Sequence, residues 1–352
     1  MKKLRVISLF SGCGGSDLGM LGGFNFLDKN YAKQPLEIVL AIDNDKKAVA
    51  TYNENFSHPA ESADIQQYDV SDAPNADIVI GGFPCQSFST VNPTKNPFDE
   101  RALLYKEMAK FIEIKKPAVF IAENVKGMAR LHKGKIIEAI IKEFAKHGYK
   151  ITWQIVNAAD YGVPQKRERV FIVGVREDLG FEFKFPTPTN SQLDNDSKKP
   201  WVGIGSILES LKDVDKKYYF SERAVAGMKN AKNNMKRGLA QDLSQPSLTV
   251  TSHLAKVSLN SRDPVLLLDE KKEIYRRFTP LEAARIQSFP DNFKFVGSEA
   301  DAYRQIGNAI APVVMWHVTN ALVSQLNKAL SLKKEKSIPQ IHTESKAFFS
   351  FE

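Results

Sequence analysis

Apolar residues in the first half of the chain fall in short runs separated by stretches of helical spacing. The runs Leu4–Phe10, Ile38–Ile42, Ile78–Ile80, Ala118–Ala122 and Val170–Val175 are too short for helices and read as buried strands. Between them, Asp45–Asn55, Leu103–Ile114 and Lys135–His147 repeat their apolar residues at one helical turn and read as amphipathic helices. Strands alternating with helices predict an α/β fold, a doubly wound, Rossmann-like parallel sheet with helices on both faces. In such a sheet ligands bind beyond the carboxyl ends of the strands, so chemistry is expected in the loops that follow them.

The alternation fades after about residue 185. Residues 186–200 are rich in Pro, Thr, Asn and Asp and read as a linker. From 201 to about 275 no period is sustained, as expected of a second, smaller domain. Regular pattern resumes at Arg276, and Val313–Leu326 reads as a long amphipathic helix that packs back on the first domain. From Lys333 the chain is polar with scattered aromatics, a loosely held tail.

Composition narrows the class. With 352 residues, 43% hydrophobic and 26% charged, the chain has room for a large core. Its net charge of +8 favours polyanionic partners without naming one. Two cysteines, Cys13 and Cys85, leave no disulfide framework, and the histidines show no ligand spacing, so no metal is expected. Met1-Lys2-Lys3 followed by Leu9–Cys13 superficially resembles a lipoprotein signal, but Arg5 interrupts it and the apolar run from Val6 is short. No apolar run approaches a membrane span. A cytoplasmic location and no membrane partner are expected.

The loop Phe10-Ser11-Gly12-Cys13-Gly14-Gly15 follows the first strand and precedes helix-forming Asp17–Met20. Its glycines let backbone approach a ligand, with amide N–H groups facing its negative end; the same turn could hold a dinucleotide or simply be tight. Cys13 reads as a small packing residue. The second strand ends in Ile42-Asp43-Asn44-Asp45. A carboxylate there commonly binds ribose hydroxyls, and either aspartate could equally be a helix N-cap. Asp43 lies further beyond Gly12 than the usual spacing of about 20 residues, and the excess is assigned to a loop insertion at Gly22–Gln34. Asp64-Ile65 could face an adenine amino group or be turn chemistry. More specific is Gly81-Gly82-Phe83-Pro84-Cys85-Gln86-Ser87, a thiol on a Gly/Pro-shaped loop after a strand. About forty residues on, the next strand ends in Glu123-Asn124-Val125; one right-handed crossover would set Glu123 beside Cys85. Gln165-Lys166-Arg167-Glu168-Arg169 precedes the last strand, with alternation pointing Arg167 and Arg169 the same way.

Together these motifs resemble the DNA cytosine-5 methyltransferase family, bacterial type II restriction–modification enzymes most closely. The match includes Phe10–Gly15, Pro84-Cys85-Gln86, Glu123-Asn124-Val125, Gln165–Arg169, Arg276–Pro290 and Gln305–Pro312, in the family's order. It covers residue 4 to about 326 except near 186–270. The resemblance implies an S-adenosylmethionine-dependent methyltransferase fold: a catalytic domain over 1–185, a target-recognition domain over 186–275, a hinge and return over 276–332, and the tail over 333–352. It implies Cys85 as nucleophile toward cytosine C6 and Glu123 at ring N3 and the exocyclic amine. Arg167 would contact O2 or the ring, and Arg169 would brace the loop or a phosphate. The cofactor would lie on Phe10, Ser11, Gly12, Gly14, Gly15, Asp43, Asn44, Asp64, Ile65, Leu104 and Asn308, leaving as S-adenosylhomocysteine. Asp43 stands where Glu is more usual.

Duplex DNA is the implied partner, with the target base flipped out of the stack. Gln86, Ser87, Asn124, Gln165 and Thr249 are candidate DNA contacts, with Lys229, Lys232, Lys236 and Arg237. Those four belong to Arg223–Arg237, which has five basic residues, no acidic one, and Ala224, Val225, Met228, Ala231 and Met235 spaced along one helix face. A solvated face gives the same pattern. A monomer that protects host DNA from a cognate restriction endonuclease is expected. Two other readings share part of the pattern. A tRNA cytosine methyltransferase of the same fold usually carries a Cys-Phe-Thr signature, and no cysteine follows Cys85 here. A catalytically silent DNA-binding protein would not need the motif residues that carry chemistry.

Overall fold

The computed structural model describes residues 3–84, 104–193, 197–230, 240–257 and 264–337. Its central sheet has seven strands: β1 (Leu4–Leu9), β2 (Leu36–Asp43), β3 (Glu61–Ser62), β4 (Ile78–Gly81), β5 (Val119–Val125), β6 (Tyr149–Asn157) and β7 (Glu168–Arg176). Their spatial order is β3-β2-β1-β4-β5-β7-β6. Only β7 runs against its neighbours. The chain winds outward from β1 through β2 to β3, then returns to β4 on the other side. The strand order therefore reverses between β1 and β4, and their diverging loops leave a crevice at the carboxyl edge. All five expected strands are present. Unforeseen β6 is an edge strand, where Trp153 and Gln154 face solvent and interrupt any apolar run.

The helices include α1 (Gly15–Leu21), α2 (Lys46–Asn55), α3 (Leu104–Lys115), α4 (Lys126–Arg130), α5 (Lys135–Ala145), α6 (Glu222–Lys229), α7 (Pro280–Ile286), α8 (Glu299–Asn308) and α9 (Pro312–Ser337). Alternation along the strands divides the apolar residues between two faces. Val119 and Ile121 of β5 join Val313, Val318 and Leu322 of α9 on one face. Phe120 and Ala122 join Met108 and Phe111 of α3 and Ile140 and Phe144 of α5 on the other. The stretch Glu299–Leu332 is long and apolar enough to cross a membrane by length and composition. Burial of Val313, Met315, Val318, Leu322 and Leu326 explains its apolarity as that of a core helix. The expected insertion at Gly22–Gln34 contains a hairpin, Phe24–Phe26 paired with Lys29–Tyr31, whose Tyr31 ring stacks on Phe24 and meets Trp316 edge-on.

A third core combines Ile204, Ile207, Val250 and Leu266 with Phe278, Ile286, Phe289, Tyr303 and Ile306. It thus draws on both sides of residue 275, and the chain rejoins the first core at Ala311. At its heart Arg276 and Glu282, neither with exposed side-chain surface, form two hydrogen bonds of 2.6 Å. Glu282 also accepts from Thr279 N, closing the capping box that starts α7. Removing one partner leaves the other charge buried and alone. Arg276→Met should therefore cost about 3–5 kcal/mol, measured as a shift in the denaturant midpoint; an unchanged midpoint would deny the pair its structural role.

Candidate active site

Two adjoining cavities, of about 500 and 420 Å³, open beyond the carboxyl ends of the central strands and share Phe10, Asp43, Asn44 and Pro84 in their walls. The larger holds Ser11, Gly12, Gly15, Glu123, Asn124, Arg167, Arg169 and Asn308. The smaller brings in Asp64, Ile65 and Leu104. Residues from eight separate stretches of sequence thus meet where the strand order reverses.

The strand ends fix Glu123. Gly81 of β4 pairs with Ala122 of β5, so Gly82 lies opposite Glu123. A Cβ on Gly82 would stand 3.5 Å from the Glu123 Oε2. Asn124 Nδ2 donates to the Phe83 carbonyl at 3.0 Å, tying β5 to the loop that leads into Cys85. Cys85, Gln86 and Ser87 themselves lie outside the described residues, as do Lys232, Lys236 and Arg237. On the other side of β5, Val125 pairs with Arg169 and Glu123 with Phe171. Glu123 and Arg169 are therefore diagonal neighbours on one face, and Arg169 Nε reaches Glu123 Oε1 at 3.2 Å. Burial pushes the Glu123 carboxyl above its ordinary value, against the pull of Arg169 and Arg167.

Both arginines line the larger cavity, but they do different work. Arg167 is 4% exposed and donates to three carbonyls: Val250 at 3.2 Å, and Gly307 and Ala309 at 3.0 Å each. Its Nε is buried without a partner. Arg169, expected as a brace, is the one paired with Glu123.

At the cofactor end Phe10 turns the chain with a left-handed φ of 55°. Gly12 follows at φ 56°, where a Cβ would meet nothing within 4 Å; its amide donates to Asp43 Oδ2 at 2.8 Å. The Asp43 carboxyl also accepts from Asp45 N, and burial raises its pKa. Asp45, not Asp43, caps α2. The Ser11 hydroxyl is buried at the cavity wall without a partner. Open space at Gly12 and this orphan hydroxyl fit a polar ligand laid across the loop, flanked by the Phe10 ring, Asp43 and Asp64. Asp64 is exposed and also holds Gln66 N and Gln67 Nε2 in a turn. Cys13 is the packing residue expected: it belongs to the third core, and burial drives its thiol up to about 12.

Two expectations, for Gly14 and Gln165, are corrected. Gly14 touches neither cavity; its φ of 91° starts α1, and a Cβ there would strike the Phe56 ring. Gln165 is completely buried and cannot reach DNA: its amide donates to Ile286 O and Gln287 Oε1 and accepts from Val250 N. Lys229 is ion-paired with Glu273 at 2.7 Å on the exposed end of α6. Thr249 donates to Lys166 O at 2.8 Å, and Asn308 is exposed at the cavity. Sequence reasoning missed Arg304, which lines the cavity and pairs with Asp45 and Asp301. It also missed Gln287, which donates to Ala309 O. Both adjoin or fall within quoted motifs, but nothing in a motif separates a buried strut from a ligand contact.

Residues 4–324 match the family model described as C-5 cytosine-specific DNA methylase. The chain belongs to that family. It is 36% identical to the type II methyltransferase M.NgoFVII of Neisseria gonorrhoeae, over 88% of this chain and 84% of that protein. With M.NlaX of Neisseria lactamica it shares 32% identity over 95% and 99%. Among solved structures it resembles the S. pombe Dnmt2 methyltransferase, at TM-score 0.71 and 20% identity over 93% of this chain and 99% of that one. A putative E. coli prophage DNA modification methyltransferase gives TM-score 0.67 and 23% identity over 92% and 100%; these two likenesses concern the fold. The chain is thus a DNA cytosine-5 methyltransferase of the type II restriction–modification kind, a family whose methyl donor is S-adenosylmethionine.

The raised pKa of Glu123 has a consequence for stability. A carboxyl that binds its proton more tightly when folded loses stability as pH rises from its ordinary value of 4.5 toward the folded value. Glu123→Gln stays neutral and escapes that loss. Its melting temperature relative to the parent should rise with pH through this window and level off above it; a difference that falls with pH would mean the arginines outweigh burial.

Proposed function

We propose that this methyltransferase acts on a cytosine flipped from duplex DNA, through a covalent bond between Cys85 and ring carbon C6. Cytosine C5 is too weak a nucleophile to take a methyl group unaided. Addition of the Cys85 thiolate to C6 pushes electrons onto the ring and gives C5 enamine character. S-adenosylmethionine, held along Phe10, Gly12, Asp43 and Asp64, supplies an electrophilic methyl group. After transfer, the C5 proton passes to water or another base, the Cys85–C6 bond breaks, and the C5–C6 double bond is restored.

Glu123 is the observation that carries this reading. Its carboxyl, whose hold on a proton burial strengthens, donates to ring N3 as negative charge arrives there, and also accepts from the exocyclic amine. Arg169 fixes the carboxyl's direction. Gly82, Phe83 and Pro84 lead from the Glu123 carboxyl to Cys85, which supports a thiol and a carboxyl on the same side of one crevice. Attack on C6 comes perpendicular to the ring, so the base must leave the stack at a cost of a few kcal/mol. Basic side chains, among them Lys232, Lys236 and Arg237, offset this at the phosphates.

Duplex DNA is favoured over tRNA by the DNA-methylase family match and by the absence of a second cysteine signature beyond Cys85. We further propose a monomer in the cytoplasm that shields its sites from a partner endonuclease. Cys85→Ser should abolish transfer of labelled methyl groups to duplex DNA while cofactor and DNA still bind. Retained methylation would remove the nucleophile assignment, and labelling of tRNA in preference to duplex would favour the RNA reading.

A further inference from the structure

We propose that Lys166, Lys198, Lys199 and Lys29 form a track for the phosphodiester backbone of DNA flanking the methylated site, an inference that rests on the duplex-DNA reading above. The track starts at Lys166, next in sequence to Arg167 of the cavity wall. Its ammonium lies 5.2 Å from the centre of the Trp201 ring. The Trp201 indole N–H donates to Asp160 Oδ1 at 2.9 Å, fixing the ring. Two residues before Trp201, Lys199 pairs with Asn190 in a short parallel ladder. The Asn190 side chain lies against Gly162, where a Cβ would stand 3.2 Å from Asn190 Oδ1 and 3.5 Å from Lys29 Nζ. The hairpin that occupies the Gly22–Gln34 insertion delivers Lys29 to this point.

Charge is unbalanced along this strip. Among the described residues none of the four lysines forms a salt bridge; Asp160, with one oxygen engaged by Trp201, and Asp242, already accepting from Ser244, both feel their charge. Glu168, also near Asp160, is taken by Lys126. His317, beside Lys29, is kept neutral by burial at neutral pH, its pKa lowered to about 4, and adds no charge. Burial and the charge of Lys199 both disfavour the Lys29 ammonium. Like charges held together this way repel one another, and a polyanion laid across them relieves that repulsion. Four ammonium groups carried by three separate segments of chain suit the repeated charges of a duplex backbone, one per about 1.7 Å of axis.

The test compares the parent with Lys198→Gln/Lys199→Gln on two duplexes that share the recognition site. One is barely longer than the site; the other extends it on both sides by about two helical turns, roughly 20 base pairs each. Binding is followed by anisotropy as salt is raised, and methylation of the short duplex is measured alongside. On the long duplex the variant's log–log salt slope should be shallower by about two units, near 0.9 for each phosphate no longer neutralised. Binding and methylation of the short duplex should be unchanged. Lys29→Gln should lower the long-duplex slope by about one unit. Equal slopes for parent and variant on the long duplex overturn the track; equal losses on both duplexes overturn its assignment to flanking DNA. A parent protein that methylates neither duplex overturns the functional reading instead, a separate outcome.

Discussion

The buried guanidinium of Arg167 is the constraint on which the rest of the site depends. A charge taken out of water must be compensated by hydrogen bonds, and here carbonyls supply them: Val250 from the smaller core, Gly307 and Ala309 from either side of Asn308. Hydrogen bonds to a charged group are worth about 1.5–3 kcal/mol each, so the segments that offer these carbonyls are strongly held in place. Gln165 and Gln287 extend the knot, linking the start of β7 to Ile286, Val250 and Ala309. At Gly307 a Cβ would lie 2.3 Å from the Thr251 backbone, so close passage of two chains also requires glycine there. One arginine thus sets the distance between the third core and the cavity wall that carries Asn308.

Glu123 depends on that knot indirectly. Two cations stand near its carboxyl, yet burial outweighs them and holds its proton more tightly than in an ordinary carboxyl. The arrangement works because Arg167 directs its donors at carbonyls and Arg169 alone makes the ion pair. Had both guanidinium groups converged on Glu123, the carboxylate would be stabilised and a proton donor lost. Division of roles between Arg167, just before β7, and Arg169, within it, therefore bears directly on the chemistry proposed for the site.

Strand ends were legible because apolar runs stop where the loops begin, and the motifs at Phe10–Gly15, Asp43, Pro84-Cys85-Gln86 and Glu123–Val125 follow such stops. Phe10, Asp43, Asp64, Leu104 and Asn308 meet at the cavities although up to 298 positions separate Phe10 from Asn308. What could not be read was the direction in which a polar side chain points. Gln165 and Arg167 stand in the same motif as Arg169 and have the composition of a DNA-facing loop, but they face inward. Burial of a polar group becomes possible only when carbonyls from distant segments arrive to satisfy it, and sequence spacing does not report their arrival. Edge strand β6 escaped notice for the opposite reason: its solvent-facing half removed the apolar signal.

The two kinds of cation divide along the same line. Arg167 and Arg276 are buried and fixed by several acceptors at once, a task suited to a planar fork with five donors. Lysine carries most of the exposed charge on the strip from Lys166 to Lys29, where a flexible, well-hydrated ammonium can follow a mobile partner. Salt screens the second group and barely reaches the first. Rising ionic strength should therefore weaken the hold on DNA well before it disturbs the cavity, and the net charge of +8 measures affinity for the polymer, not the geometry of the reaction.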